Sequence, residues 1–322
     1  MELIRTLKHL DRKSDNQRLA FSNGGRFLVV VDSNLKVYVW DLRMGKRRRT
    51  LDLLKCDREK EPSCLGYIQE FIVSPDWPFL GIEIFKRSSR KTDFYSSHQY
   101  TQLWNLRTGE LHYQLEGYCL RAFSPDGQLL ATSTNDGTMQ FWYLPTGELR
   151  RTLTAIKSEV LSIVFSANGN ILASLHSFNE SGFQQLQINI WDFLSEKILH
   201  SFEAFAVESM MPNLALSPDG KILVCSGLAE ILFWDLQTGE TLPETETDRY
   251  PHVIPLLDGN LFCTTNYSDA VASFVDIYSG SQGRLKFHLG GLWSISPNGS
   301  IIAEYIKGEG IGIWDVTDSE IE

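Results

Sequence analysis

The side chains that could take part in catalysis or metal binding are scattered along this 322-residue chain. Its seven histidines show neither an HExxH motif nor any other zinc-ligand spacing, and they lie at positions 9, 98, 112, 176, 200, 252 and 288. Cys56 and Cys64 are close in sequence, but no second pair accompanies them, so no metal site is expected there. Neither a GxSxG nucleophile elbow nor a GxxxxGK(S/T) phosphate loop is present. The sequence therefore predicts no catalytic residue, no cofactor site and no metal site.

Two basic segments stand out in a protein whose formal net charge is -10 at pH 7. The segment from Lys86 to Lys91 holds four basic residues, and Phe94 and Tyr95 follow it. Its charges suit a phosphate group or an acidic segment of a partner protein. The run Lys-Arg-Arg-Arg at 46–49 is predicted to lie on an outer strand, where charge discourages edge-to-edge pairing. The acidic balance of the whole chain argues against a general polyanion binder.

A tryptophan-centred signature recurs seven times along the chain. The copies are VYVWDL (37–42), TQLWNL (101–106), MQFWYL (139–144), INIWDF (188–193), ILFWDL (231–236), SFVDI (273–277) and IGIWDV (311–316). Six of the seven copies keep the tryptophan. The remaining one, SFVDI, has Val275 in its place. Dividing 322 residues by seven gives about 46 per unit, close to the roughly 40 to 45 expected for a four-stranded propeller blade.

Tight turns punctuate each unit. Upstream of each signature lies a turn tetrapeptide: SNGG (22–25), SPDW (74–77), SPDG (124–127), SANG (166–169), SPDG (217–220), LLDG (256–259) or SPNG (296–299). Pro presets one backbone angle and Gly supplies positive φ, so these tetrapeptides predict hairpins. Most signatures are followed by a further Gly-containing turn, such as Thr108-Gly109 and Thr146-Gly147. Three turns per unit predict four short antiparallel strands.

The signature, the turns and their spacing resemble the WD40 repeat, and the resemblance covers nearly the whole chain. It implies an all-β fold, a seven-bladed WD40 β-propeller that occupies residues 1–322 as a single domain. In that family a His, a strand Ser or Thr, a turn Asp and the Trp form a buried hydrogen-bonded set. The resemblance assigns Thr132, Asp136 and Trp142 to this set in the third repeat, where Tyr118 stands in place of the His. It does not identify a subfamily.

The N-terminal segment is predicted to complete the last blade. Residues 2–7 read ELIRTL, and the outer strand of the third repeat, 148–153, reads ELRRTL. The two segments differ only at Ile4, which corresponds to Arg150. Since the segment after Trp314 is short for an outer strand, we expect residues 2–8 to supply that strand and close the propeller, as WD40 propellers commonly do.

The insertions between strands are all predicted to lie on one rim. In a meander of strands a, b, c and d, the a–b and c–d turns share one rim, and the b–c and d–a loops share the other. The a–b and c–d turns are short throughout, whereas longer segments occur at 52–66, 86–100, 177–187 and 243–252. Long loops on a rigid scaffold often carry binding residues, although neutral lengthening would look the same. The candidates for partner binding are Lys86, Arg87, Arg90, Lys91, Phe94, Tyr95, Phe178, Phe183, Tyr250 and Tyr267.

These patterns favour a noncatalytic scaffold or adaptor that binds proteins or peptides through the insertion-rich rim, as a subunit of a larger complex. The alternative is a sensor or binding module for a small ligand or nucleic acid, and a propeller hydrolase is least favoured. An odd cysteine count, no secretory apolar segment and no apolar run of about 18 residues predict a cytoplasmic, reducing location without membrane contact. We expect the propeller to be monomeric outside its complex.

Overall fold

The structure is a computed structural model whose described residues are interrupted by gaps. It describes residues 2–7, 18–22, 25–32, 34–53, 66–75, 78–87, 97–180, 183–205, 212–217, 219–226, 230–242, 245–246, 251–255, 261–266, 272–276, 282–285, 293–296, 300–306 and 309–315. For the strands between Pro251 and Leu285, and for the ends of several other strands, the backbone alone is described.

The described elements are β-strands, and consecutive strands pair in antiparallel fashion. In chain order they are β1 (Glu2–Leu7), β2 (Arg18–Phe21), β3 (Phe27–Val31), β4 (Lys36–Asp41), β5 (Lys46–Asp52), β6 (Gly66–Val73), β7 (Phe79–Arg87), β8 (Ser97–Asn105), β9 (Glu110–Glu116), β10 (Cys119–Phe123), β11 (Leu129–Ser133), β12 (Thr138–Tyr143), β13 (Glu148–Thr154), β14 (Glu159–Phe165), β15 (Ile171–Glu180), β16 (Phe183–Asp192), β17 (Lys197–Phe205), β18 (Asn213–Leu216), β19 (Ile222–Ser226), β20 (Glu230–Asp235), β21 (Thr245–Glu246), β22 (Pro251–Pro255), β23 (Leu261–Asn266), β24 (Ala272–Asp276), β25 (Gln282–Leu285), β26 (Trp293–Ile295), β27 (Ile301–Ile306) and β28 (Gly310–Asp315).

The chain divides into two compact units. Unit 1 comprises Met1–Leu120 and Gly290–Asp318, and unit 2 comprises Arg121–Leu289 and Ser319–Glu322. Unit 1 holds the first sheet (β2–β5), the second sheet (β6–β9) and the last sheet, whose order is β1-β28-β27-β26. Unit 2 holds the third (β10–β13), fourth (β14–β17), fifth (β18–β21) and sixth (β22–β25) sheets, with β10 beginning at the end of unit 1. Seven four-stranded sheets among the described residues confirm the predicted fold class, an all-β, seven-bladed WD40 β-propeller.

The seven signatures occupy the third strand of the seven sheets, as predicted. Trp40 lies in β4, Trp191 in β16 and Trp314 in β28, and Val275 holds the corresponding place in β24. In the first sheet, alternate residues of β3 enter different cores. Val29 belongs to a cluster shared with the second sheet, whereas Val30 belongs to a cluster shared with the last sheet. Burial on both faces explains why the strand sequences are nearly continuous apolar runs instead of alternating ones.

The N-terminal strand completes the last sheet, as the ELIRTL segment predicts. β1 runs antiparallel to β28, with Leu3 opposite Trp314 and Leu7 opposite Ile311. Leu7 is 1% exposed and packs in the cluster that joins the last sheet to the first. The strand therefore contributes a core residue as well as backbone hydrogen bonds.

A serine fixes each described a–b turn, a role that the turn tetrapeptides alone do not reveal. In the third sheet the amide of Gly127 donates to the Ser124 carbonyl over 2.9 Å, and the amide of Leu129 donates to Ser124 Oγ over 2.8 Å. In five other sheets a backbone amide donates in the same way to the Oγ of a serine, and these serines are Ser22, Ser74, Ser166, Ser217 and Ser296. Because each serine is buried and bonded, the a–b turns are short and held in one conformation.

A β-bulge recurs on the outer strand opposite the signature tryptophan. In the first sheet Val39 pairs with Arg49 and Trp40 with Arg47, so Arg48 is the extra residue. The extra residues in the second, third, fourth and last sheets are His112, Arg150, Leu199 and Ile4. The position at which ELIRTL and ELRRTL differ is thus the bulge, where the side chain varies from sheet to sheet.

One predicted insertion is not a loop. The segment 177–187 lies largely in strands, because β15 and β16 continue pairing from Ser177 opposite Leu186 to Glu180 opposite Phe183. β15 is 10 residues long, whereas its counterpart β11 in the third sheet has 5. The insertion lengthens a hairpin, which keeps its backbone hydrogen-bonded away from the core.

Candidate interaction surface

The basic candidate segment begins at the b–c end of the second sheet. Lys86 pairs with His98 and Arg87 with Ser97, so the backbone of both basic residues is fixed within the sheet. Their side chains and residues 88–96, which include Arg90, Lys91, Phe94 and Tyr95, lie outside the described part of the chain. The structure therefore anchors the two ends of this segment and leaves its binding role a prediction.

The aromatic candidates Phe178 and Phe183 lie on the extended hairpin of the fourth sheet. Phe178 stands opposite Gln185 and is half-buried, and Phe183 stands opposite Glu180. The third strand of this sheet also extends its pairing with the outer strand, up to Gln185 opposite Phe205. The hairpin is thus supported on both sides of β16, as a rigid platform requires.

The last two candidates, Tyr250 and Tyr267, lie outside the described residues. Their chain neighbours Pro251 and Asn266 pair with each other in the sixth sheet. The described neighbours of the candidates in the second and sixth sheets, and Phe178 and Phe183 in the fourth, therefore lie at the b–c or d–a end of their own sheet. The structure brings Phe178 and Phe183 onto one hairpin and leaves the remaining juxtapositions untested.

A buried hydrogen-bond chain runs through the fourth sheet, where the sequence interpretation did not place one. Trp191 Nε1 donates to Ser174 Oγ over 2.9 Å, and Ser174 Oγ lies 2.9 Å from His176 Nε2. On the other side of the ring, Nδ1 lies 3.3 Å from Ser158 Oγ. Burial lowers the pKa of His176 to about 4, so the ring is neutral near pH 7. This arrangement positions the signature tryptophan and gives the histidine a structural role.

The third sheet contains part of the set that the family resemblance implies. Trp142 Nε1 donates to Thr132 Oγ1 over 2.9 Å, as expected. Asp136 accepts instead from the Thr134 hydroxyl and the Thr138 amide, at 2.5 Å and 3.1 Å. Hydrogen bonds from these two threonines hold the pKa of the Asp136 carboxyl below its usual value. The aspartate therefore organises its own turn.

Glu83 is a buried carboxylate that sequence reasoning missed. It is 2% exposed, and its carboxylate accepts from Gln99 Nε2 over 2.5 Å and from the Leu120 amide over 2.9 Å. Nearby, Trp104 Nε1 donates to Gln102 Oε1 over 3.0 Å. The available signal was a glutamate within the apolar strand FLGIEIF, at a position where only a satisfied charge is tolerated. These contacts assign Glu83 to the interior framework of unit 1.

Asp41, the signature aspartate of the first sheet, ties an outer strand to an inner turn. Its buried carboxylate receives the guanidinium groups of Arg26 and Arg48 at 3.1 Å and 3.2 Å. Burial opposes ionisation, but hydrogen bonds from the Met44 amide, Arg26 and Arg48 outweigh it and hold the pKa of Asp41 below its usual value. One basic residue of the run 46–49 therefore serves the fold.

Within the described ranges, no three His, Cys, Asp or Glu side chains are grouped as a metal site would require. The buried Cys225 thiol is packed among apolar residues, and burial raises its pKa to about 12. A thiol with this pKa is protonated near neutral pH and is a poor nucleophile. The described part of the chain also has no helix of the length and hydropathy needed to cross a membrane.

Comparisons with known proteins point to one family. Residues 110–143 match the family model described as "WD domain, G-beta repeat". This segment comprises outer strand β9 of the second sheet followed by β10, β11 and β12 of the third. The matched repeat is therefore offset from the sheet by one strand, the same offset by which β1 completes the last sheet.

Several curated relatives are similar over part of the chain. Over 138 residues the chain is 30% identical to the Periodic tryptophan protein 2 homolog of Schizosaccharomyces pombe, which covers 42% of the chain and 15% of that protein. It is 30% identical over 120 residues to the Anaphase-promoting complex subunit cdh1 of Dictyostelium discoideum, which covers 36% and 15%. It is 27% identical over 127 residues to the COMPASS component SWD3 of Saccharomyces cerevisiae, which covers 39% and 38%. The match thus spans well under two thirds of the length of each of these relatives.

Proposed function

We propose that this chain, a member of the WD40-repeat family, is a noncatalytic scaffold or adaptor that binds a partner protein as a subunit of a larger complex. One of the relatives above is named a complex subunit and another is named a component, which supports a role in protein assembly. We further propose that residues 1–322 act as one domain. The pairing of β1 with β28 supports this, because it joins the N-terminal and C-terminal segments within one sheet.

The binding surface that we propose consists of the b–c and d–a ends of the sheets. The observation that supports it best is the contrast between the two ends. The described a–b turns are short and fixed by a buried serine, whereas the long segments and the extended β15–β16 hairpin occur at the opposite end. A rigid sheet with variable connections at one end is a common arrangement for recognition.

Within that surface, we assign charge recognition to the second sheet and apolar contacts to the fourth and sixth. Lys86, Arg87, Arg90 and Lys91 would meet an acidic or phosphorylated segment of the partner. Phe94, Tyr95, Phe178, Phe183, Tyr250 and Tyr267 would supply aromatic anchors, the residue type that commonly carries most of the energy of an interface. We place the protein in the cytoplasm, a reducing compartment.

Charge reversal in the basic segment tests this proposal. Arg87→Glu with Arg90→Glu should abolish capture of the main partner in a pull-down followed by mass spectrometry, with an unchanged melting curve. The matched control is Arg107→Glu with Lys197→Glu, two exposed cations at the c–d ends of the second and fourth sheets, which should retain capture.

Retained capture by the Arg87/Arg90 variant would reject the basic segment as the site. Nuclease treatment and a salt series test the alternative, a nucleic-acid-binding module, because nucleic-acid contacts lose affinity steeply as salt is added. Capture that depends on nucleic acid would contradict the adaptor proposal.

A further inference from the structure

A cleft lies at the a–b and c–d end of unit 1, opposite the end assigned above. It has a volume of about 250 Å³ and opens between β1 and the two turns of the first sheet. Gly25 and Arg26 of the a–b turn and Leu42 and Arg43 of the c–d turn form one side of the cleft. This volume is below the roughly 300–1,000 Å³ typical of pockets for drug-sized ligands, and it suits one or two side chains.

Three arginines, Arg5, Arg26 and Arg43, line this cleft, and no described carboxylate residue does. Arg26 is 45% exposed and shares the buried Asp41 with Arg48, so Asp41 neutralises only part of this charge. Arg43 is exposed, and the described residues give it no ion pair. In a protein of net charge -10, this is a local excess of positive charge.

Arg5 is held in place over the cleft by the turn beside it. Its Nη1 donates to the Leu42 carbonyl over 3.3 Å. Gly45, with φ of 60°, leaves room for it, since a Cβ there would overlap the guanidinium group of Arg5. The charge of Arg5 is thus positioned by a backbone carbonyl, and among the described residues its guanidinium group has no other hydrogen-bond acceptor.

The rest of the lining is aliphatic. Ile4, the bulge residue of β1, is 52% exposed and stands beside Leu42, Ile301 and Ile313. At the corresponding bulge of the third sheet, Arg150 instead stacks 4.7 Å above the ring of Tyr143. The last sheet therefore presents an apolar side chain to solvent where the third presents a charge. No described aromatic ring lines the cleft to stack on a nucleobase, which favours a protein ligand over a nucleic acid.

We propose that this cleft binds an acidic segment of a partner protein in which a carboxylate residue adjoins an aliphatic one. The carboxylate accepts hydrogen bonds from Arg43 and Arg5, and the aliphatic side chain covers Ile4 and Ile313. The site is a second docking surface and does not depend on the basic segment at 86–91. Its occupant bridges β1 and the first sheet, so binding stabilises the pairing of the N-terminal strand.

A labelled peptide of sequence DLDDLD is the probe, and fluorescence anisotropy measures its affinity at about 0.15 M salt. The full chain should bind DLDDLD and should not bind KLKKLK, and DSDDSD should bind more weakly because it lacks the aliphatic side chains. Arg43→Glu should weaken binding at least about tenfold, because it reverses one of the three charges. The matched control is Arg150→Glu, an exposed arginine of the third sheet, which should leave the affinity unchanged.

Ile4→Arg separates a defined site from general attraction of anions. This change makes the N-terminal strand read ELRRTL, as in the third sheet, and adds a positive charge. A defined apolar contact predicts weaker binding of DLDDLD, whereas charge attraction alone predicts tighter binding.

Three results would each overturn the proposal: no binding of DLDDLD, equal binding by the Arg43→Glu variant, or tighter binding by the Ile4→Arg variant. Preferential binding of a single-stranded oligonucleotide over the peptide would assign the cleft to nucleic acid instead. Melting curves of each variant confirm that the fold is retained. Arg87 and Arg90 do not line this cleft. Partner capture by the Arg87/Arg90 variant and DLDDLD binding by the Arg43→Glu variant therefore test the two proposals separately.

Discussion

His176 shows how a side chain that could do chemistry is used for structure. It lies in a chain of hydrogen bonds from Trp191 through Ser174 to Ser158, and it is fully buried. The sequence contains the histidine and the tryptophan, but it does not show that both side chains hydrogen-bond to Ser174. That geometry requires the pairing of β15 with β16, which no local pattern specifies.

The buried histidine predicts an acid dependence of stability. Burial lowers the pKa of His176 from 6.5 to about 4, so the unfolded chain binds a proton more readily between these values. Stability is therefore full above about pH 6.5 and falls as the pH drops towards 4. At pH 5 the loss from this residue should be about 2 kcal/mol relative to pH 7.

Urea unfolding of the wild type and His176→Gln at pH 7 and pH 5 measures this contribution. The variant retains polar atoms for Ser174 and Ser158 but cannot titrate in this range, so its loss should be smaller by about 2 kcal/mol. Equal losses in the two proteins would show that His176 is protonated in the fold without cost.

At the scale of elements, the turns and third strands were predictable, and the bulges and the long hairpin were not. Turn residues such as Ser124 and Gly127 act through local geometry, so the sequence reveals them. The pairing of Phe178 with Gln185 depends on partners across the sheet. The segment NESGFQQ lacks the alternation of apolar and polar residues that would predict a strand. The predicted loop at 177–187 was wrong for this reason.

The N-terminal strand makes a prediction at the same scale. Leu7 is 1% exposed in the core that joins the last sheet to the first, whereas Leu3 of the same strand is 43% exposed. Leu7→Ala should therefore lower the free energy of unfolding by about 2–5 kcal/mol, because it leaves a cavity. Leu3→Ala should cost much less.

Chemical denaturation of the two variants tests this contrast. Separately, deletion of residues 1–8 should lower the melting temperature by several degrees, because it removes the whole strand. If Leu7→Ala and Leu3→Ala unfold at the same denaturant concentration, β1 does not contribute a core residue to the last sheet.

At the scale of the whole molecule, charge is distributed unevenly. The net charge is -10, yet the arginines of the first sheet and β1 and the basic segment at 86–91 lie in the first third of the chain. The sequence predicted the second group as a candidate site. In the first group it assigned only the run 46–49, to an outer strand. It did not single out Arg5, Arg26 and Arg43, because their convergence depends on the pairing of β1 with β28.

The fold class was predictable because the same signature and turn motif recur in seven units. A departure in one unit, such as Val275 in the sixth, therefore does not change the predicted fold class. The sequence predicts the candidate site only by position, as the b–c and d–a ends. Which side chains form a contact surface depends on the partner and on segments whose conformation no repeat specifies.

Hydrogen–deuterium exchange of the chain, free and with its captured partner, shows directly whether the b–c and d–a ends bind that partner. Protection on binding is expected in peptides that cover 83–100 and 175–190. Protection confined to peptides that cover the a–b and c–d turns, such as 122–129 and 142–150, would contradict it.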